Sequence, residues 1–359
     1  MQPFVPFSWA QYVALKVLLA APRSFCAGVN RAIQIVEACL ERYGSPVYVR
    51  HAIVHNEHVL REMEAKGVIF VEELSEVPDG VPVVFSAHGV PPSVVWSAEE
   101  RGLPTIDATC PLVARVHQEA MRHHRSGCQV LVIGKKNHPE ILGLLGYLPA
   151  KECQVIGDIE AAQNVQISMN QPVAYVTQTT LSVEDTGQIV KVLRKRFPKL
   201  IEPRKETICY ATANRQKATR AIAAKTEVFL VLGSPTSSNS SRLTEVARQV
   251  GCEKVRLVPE PDELDLRWLD DVSVLGLTAG ASAPEYLVHQ LIDRLAQSRS
   301  LVIEEVPVTE EKIHFRLPIE RFPKTPQISI SRSPTKSQHR QEGLHRNKHS
   351  ALSQELHLA

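Results

Sequence analysis

Residues 16–44 read KVLLAAPRSFCAGVNRAIQIVEACLERYG. The apolar run KVLLAA (16–21) has the length of a buried strand, and Pro22 breaks it. From Ala32 apolar residues return at helical spacing, and Gly44 offers a stop. Cys26 stands at the joint between the two patterns. The same joint recurs at Cys110, in DATCPLVARV, and at Cys209, in ICYATANRQ, at spacings of 84 and 99 residues. Three α/β units, each offering one cysteine at the same structural point, would form a pseudo-threefold arrangement.

Outward from that stretch, short β-branched runs alternate with helical patterns. Strands are expected at PVYVR (46–50), VPVVFSA (81–87), QVLVIG (129–134), PVAYVT (172–177), EVFLVLG (227–233) and VSVLGLT (272–278). Helices are expected after Arg31, from Pro111 and from Ser182, the last opening with Ser182 and Asp185 as a capping box. Such alternation predicts an α/β fold with largely parallel sheets. The chain divides into an N-terminal extension (1–15), three α/β domains (16–110, 111–207 and 208–322, the last with a closing segment) and a tail (323–359). The tail carries six Lys or Arg against two Glu and few large apolar residues, a composition expected to stay disordered.

Composition excludes several classes. The 359 residues leave room for two or three domains, and a formal charge of +2 does not suit a general nucleic-acid binder. No apolar run is long enough to span a membrane, and the N-terminus lacks the basic start of a signal peptide. Seven scattered cysteines in so long a chain fit a reducing cytoplasm better than a disulfide framework.

In α/β sheets, sites gather at the carboxyl ends of strands. Those positions hold His55, His88, His138 with Glu140, the run Thr177, Gln178, Thr179 and Thr180, the cluster Ser237, Ser238 and Asn239, and Ser282. Neutral hydrogen-bond donors and histidines at helix starts suit a phosphate or diphosphate. Cys39, Cys128, Cys153 and Cys252 lack such neighbours and read as small buried hydrophobes. Cys26, Cys110 and Cys209 form no close pair of the zinc type, whereas an iron–sulfur cluster accepts ligands from distant segments. Three ligands would leave one iron open to a substrate oxygen.

Nine ordered motifs, FCAGVNRA, VRHAIVHN, FSAHGV, DATCPLV, NHPE, TQTTLS, ICYATANRQ, SSNSSRL and TAGASAP, together resemble the 4-hydroxy-3-methylbut-2-enyl diphosphate reductase family, from about Lys16 to Pro318. The resemblance implies three α/β domains around a central [4Fe–4S] cluster bound by Cys26, Cys110 and Cys209 with one open iron. It implies that Glu140 is the proton donor, relayed through Thr179. It also implies that His55, His88, His138, Gln178, Thr180, Ser237, Ser238, Asn239 and Ser282 form the substrate pocket. Electrons would come from ferredoxin or flavodoxin; no GxGxxG follows a strand, so bound NAD(P) is not expected. The chain departs from the family pattern at Leu144, Thr236 and Asn30, where Thr, Asn and Asp are usual. A non-catalytic iron–sulfur sensor on the same scaffold is the rival reading, and it would have no use for Glu140.

Overall fold

The computed structural model describes residues 14–167, 171–318 and 322. The expected extension through residue 13 and the tail from 323 lie outside the described residues. In order, the elements are β1 (Leu15–Ala21), α1 (Ala27–Tyr43), β2 (Val47–Arg50), α2 (Glu57–Ala65), β3 (Val68–Val71), β4 (Val83–Phe85), α3 (Pro92–Glu100), β5 (Thr105–Asp107) and α4 (Pro111–Arg125). They continue with β6 (Gln129–Ile133), α5 (Pro139–Leu145), β7 (Cys153–Ile156), α6 (Ile159–Asn164), β8 (Val173–Thr177), α7 (Val183–Arg196) and α8 (Tyr210–Ala223). The last are β9 (Val228–Leu232), α9 (Ser238–Gln249), β10 (Lys254–Val258), β11 (Val274–Ala279), α10 (Glu285–Ser298) and β12 (Leu301–Pro307). No described helix is long and apolar enough to cross a membrane.

The strands form three sheets, ordered β10-β9-β11-β1-β12, β3-β2-β4-β5 and β7-β6-β8. Every strand pair is parallel, as the alternating pattern predicts. Parallel sheets need cover on both faces, and each has an apolar core of its own strands and flanking helices. One strand departs from the expected partition. β1, placed by sequence with residues 16–110, pairs between β11 and β12 in the sheet of the third stretch. Val17 and Leu19 are buried on one face of that sheet and Leu18 and Ala20 on the other, so the run needs an interior position.

Each cysteine sits where the chain passes from one sheet to the next. After β1 the chain passes Cys26 into α1, which packs on β2. After β5 it passes Cys110 into α4, which packs on β6 and β8. After Ile201, which bridges in parallel to Ala174 of β8, it passes Cys209 into α8, which packs on β1. Hydrogen bonds repeat with the same offset. Each cysteine N–H donates to the carbonyl two residues past a strand end: Cys26 to Ala281 (3.2 Å), Cys110 to Ala87 (3.0 Å) and Cys209 to Thr179 (3.1 Å).

Candidate active site

The three junctions open on one cleft of about 780 Å³, mouth included. Cys26, Cys110 and Cys209 are the N-caps of α1, α4 and α8, so each stands at the positive end of a helix. Thr212 N–H donates to the Cys209 sulfur (3.3 Å). Burial pushes the Cys110 thiol up to about 12 and the Cys209 thiol up to about 11, with the neighbouring cysteines adding to the shift. Thiols held this way want a cation. Gly28 keeps the space between them clear: a Cβ there would lie 2.6 Å from the Cys110 sulfur and 3.8 Å from that of Cys26. No group of three His, Cys, Asp or Glu among the described residues converges closely enough to hold a single metal ion. Three soft sulfurs spread round a cleft fit a polynuclear iron–sulfur group instead. The other four cysteines are buried in apolar packing away from the cleft.

The remaining wall repeats the threefold offset. Three residues past the ends of β4, β8 and β11 come His88, Thr180 and Ser282; five past the ends of β2, β6 and β9 come His55, His138 and Ser237. All six line the cleft, with Ser238 and Asn239. The His55 ring centroid lies 4.2 Å from that of His88 and 5.4 Å from that of His138. Burial holds all three below the usual histidine range; for His138 and His88 neighbouring imidazoles add to the effect, and His138 falls to about 4. His138 Nδ1 accepts from Glu140 N–H (3.2 Å), so the neutral ring carries its proton on Nε2. That Nε2, His55 Nε2 and Asn239 Nδ2 are buried without a protein partner, while Asn239 Oδ1 accepts from Ala281 N–H (2.8 Å). Buried donors left open in this way await a ligand that accepts. Ser237 caps α9, taking Ser240 N–H, and receives the Ser282 hydroxyl (3.3 Å). The helices whose starts face the cleft with Cys or Ser caps, α1, α4, α8 and α9, have no acid in their first turn. By contrast α2, α6, α7 and α10 each carry one or more. A positive helix end left uncompensated favours an anion.

Glu140 is the one acid on this wall. It is 2 % exposed, and burial raises its carboxyl to about 7 against the pull of two bonds from Thr179. Thr179 N–H donates to Oε1 and Thr179 Oγ1–H to Oε2, both at 2.8 Å. A carboxyl that exchanges its proton near neutrality, on the cleft wall beside a hydroxyl that bonds it, can act as a general acid.

Gln178 is the exception among the expected pocket residues. It is fully buried behind the wall, its carbonyl taking Lys135 N–H (3.0 Å) and its amide donating to Thr180 Oγ1 (2.8 Å). It therefore fixes Thr180, which donates on to Ser238 Oγ (3.1 Å). Gly28 and Tyr210 line the cleft without having been singled out by sequence; only their places beside Cys26 and Cys209 could have signalled them. The three departures lie aside from the chemistry. Leu144 is buried in apolar packing with Val116, Ile141 and Val176, Thr236 stands at the outer mouth near Lys135, and Asn30 is exposed on α1.

Comparison with known proteins shows the family of the chain. The family model described as LytB protein matches residues 17–296. A 4-hydroxy-3-methylbut-2-enyl diphosphate reductase of Gluconobacter oxydans is 53% identical over 308 residues, covering 85% of this chain and 92% of its own. A protein of the same name from Phenylobacterium zucineum is 53% identical over 304 residues, covering 85% and 96%. Among solved structures, the E-1-hydroxy-2-methyl-but-2-enyl-4-diphosphate reductase of Plasmodium falciparum superposes with a TM-score of 0.82 at 34% identity, covering 86% of this chain and 97% of that one.

Proposed function

The chain belongs to the LytB family, and from that premise we propose that it removes the allylic hydroxyl of (E)-4-hydroxy-3-methylbut-2-enyl diphosphate. The products are isopentenyl and dimethylallyl diphosphate, at the last step of the methylerythritol phosphate pathway. The protein is an oxidoreductase. The change consumes two electrons and two protons, and the hydroxyl oxygen leaves as water.

Three α/β layers around the cleft each give one cysteine, and Cys26, Cys110 and Cys209 hold the [4Fe–4S] cluster of the family. A cluster with three cysteine ligands supplies electrons and one open, Lewis-acidic iron. The chain's own residues do the rest. His55, His88, His138, Thr180, Ser237, Ser238, Asn239 and Ser282 take the diphosphate on neutral donors, and the incoming negative charge draws protons onto the histidines. Val54, Ala87, Leu112 and Val113 line the cleft and exclude water from the hydrocarbon part. Glu140 stores the proton that leaves with oxygen, and the Thr179 hydroxyl passes it on. Electrons arrive from a one-electron protein donor of the ferredoxin or flavodoxin kind, and we place the reaction in the cytoplasm.

The observation that carries this reading is a protonatable carboxyl at about 7 on the same wall as three cysteine sulfurs and an anion site. Anaerobic turnover with a reduced viologen dye and the allylic alcohol diphosphate tests it. Substrate-dependent dye oxidation should fall at least ~100-fold in Glu140→Gln, the usual scale for a lost general acid. Equal oxidation by both proteins would remove Glu140 from the mechanism. No oxidation by protein with full iron content would leave a sensor.

A further inference from the structure

Three arginines link the cysteine loops head to tail. Arg31 lies five residues past Cys26, Arg115 five past Cys110 and Arg215 six past Cys209, each on the helix that its cysteine caps. Each guanidinium reaches the stretch before the next cysteine. Arg31 Nη1 donates to the carbonyls of Ala108 (3.3 Å) and Thr109 (3.0 Å), just ahead of Cys110. Arg115 Nη2 donates to the carbonyl of Glu206 (3.1 Å), three residues ahead of Cys209. Arg215 donates through Nε and Nη2 to the carbonyl of Ser24 (3.1 and 2.7 Å) and through Nη2 to that of Arg23 (3.2 Å), ahead of Cys26. The direction is the same each time, and the third contact returns to the first loop. A head-to-tail contact repeated with a rotation that closes makes a ring.

Two further observations show that these contacts hold backbone in place. Ser24 has φ of +56°, a left-handed conformation that a non-glycine residue keeps only where its surroundings impose it. Its N–H is taken by Ala279, its hydroxyl by Glu285 and its carbonyl by Arg215. Arg215 itself is fully buried, and Glu311 answers its charge at 3.1 Å. Moreover, none of the three arginines lines the cleft, so whatever they do there passes through the loops. A planar fork of donors can clamp two carbonyls at once, which an ammonium holds less firmly.

We infer that Arg31, Arg115 and Arg215 are positioning residues that form a closed ring, fixing the spacing of the three cysteine sulfurs and so how firmly the chain retains iron. The inference rests on the functional reading above, in that those cysteines bind the cluster. Arg31 and Arg115 are the members to test, because Arg215 is fully buried and its removal would leave a core void and open carbonyls that endanger folding. The experiment follows the loss of visible absorbance when anaerobically prepared holoprotein meets an iron chelator. It compares wild type, Arg31→Met, Arg31→Lys, Arg115→Met and the double Met variant, with the Tm of each apoprotein.

Arg31→Met should lose iron ~10-fold faster, at the lower end for residues that orient metal ligands. Its apoprotein Tm should move by only about 2–4 °C. The bonds from Arg31 to the carbonyls of Ala108, Thr109 and Arg316 are partly exposed and exchange for bonds to water, leaving a small net loss. Arg115, with a single exposed contact, should show the smaller effect, and Arg31→Lys should recover part of the loss. The double variant should fall short of the product of the two single effects, since a ring opened once has no closure left to lose. Unchanged iron loss in Arg31→Met, lifetimes that merely track apoprotein Tm, or fully multiplicative single effects would each overturn the ring. Wild-type protein that takes up no iron would overturn the functional reading itself, a result distinct from all of these.

Discussion

At the scale of single residues, Glu140 shows how burial sets chemistry. In the unfolded chain a glutamate ionises near pH 4.3, while here the carboxyl holds its proton to about 7. Between those values the folded chain binds the extra proton, so stability falls as pH rises through that window, by roughly 4 kcal/mol in all. Glu140→Gln keeps both bonds to Thr179 with one reversed and removes the charge. Its Tm at pH 8 should therefore equal or exceed that of the parent, while turnover collapses. The parent's turnover should fall as pH passes about 7, the form that donates being lost. A flat pH profile across that region would contradict the assignment.

Gly28 makes a second case at this scale. Alanine is favoured over glycine within a helix by up to about 0.5–1 kcal/mol, and Gly28 sits in the first turn of α1. A Cβ there would fall 2.6 Å from the Cys110 sulfur, which must then move. The gain in Gly28→Ala should roughly offset the cost of turning that thiol aside and leave apoprotein stability little changed. Purified Gly28→Ala should carry much less iron than the parent at a nearly unchanged apoprotein Tm. Full iron content would show that the thiol can shift at no cost.

At the scale of elements, legibility followed position in the sheet. The strands readable from sequence include β1, β2, β4, β6, β9 and β11, all interior, and their buried runs are nearly continuous. Those left unread, β3, β5, β7, β10 and β12, are all edge strands. β10 alternates buried and exposed residues, and β12, with Glu304 and Glu305, is largely exposed. Charged edges discourage pairing with other chains, and they erase the apolar run that identifies a strand. β8 was readable although it ends its sheet, since Ile201 bridges to it on the open side and all five of its residues are buried.

Helix caps separate folding from binding at the same scale. Ser182 caps α7 by taking Asp185 N–H (3.0 Å), half of the expected capping box. The Asp185 carboxylate turns to Arg242 and Gln249 instead of back to Ser182, which lies outside the cleft wall. Ser237 makes the same kind of cap for α9 inside the wall. Ser237→Ala should cost about 1 kcal/mol of stability. Ser237→Asp should restore the cap and the Tm, but it places a carboxylate where the diphosphate binds. Calorimetric titration with inorganic pyrophosphate should therefore show weakened binding in Ser237→Asp despite its recovered Tm. Restored binding would move the anion site off α9.

For the whole molecule, the three sheets meet at the cysteine joints and through ion pairs between the segments that flank them, such as Arg220 with Glu184, Arg242 with Asp185 and His58 with Glu260. The proposed cluster would add a further tie. A ligand bound by the folded state alone stabilises it, so stripping iron from the holoprotein should lower Tm by ~5 °C or more. A matching Tm with and without iron would mean that the sheets assemble unaided by the cysteines. The sequence determined the residue types and their places at strand ends, because turn, cap and apolar spacing are local properties of the chain. It thereby determined the α/β layering, the three cysteine joints and the polar set around the cleft. Only the tertiary structure decided that β1 joins the third sheet between β11 and β12, that Gln178 stands behind the wall, and that Glu140 is buried in the cleft wall with its carboxylate held by Thr179. Those outcomes depend on contacts between segments tens to hundreds of residues apart. Pairing register, burial and carboxyl basicity exist only once such segments meet.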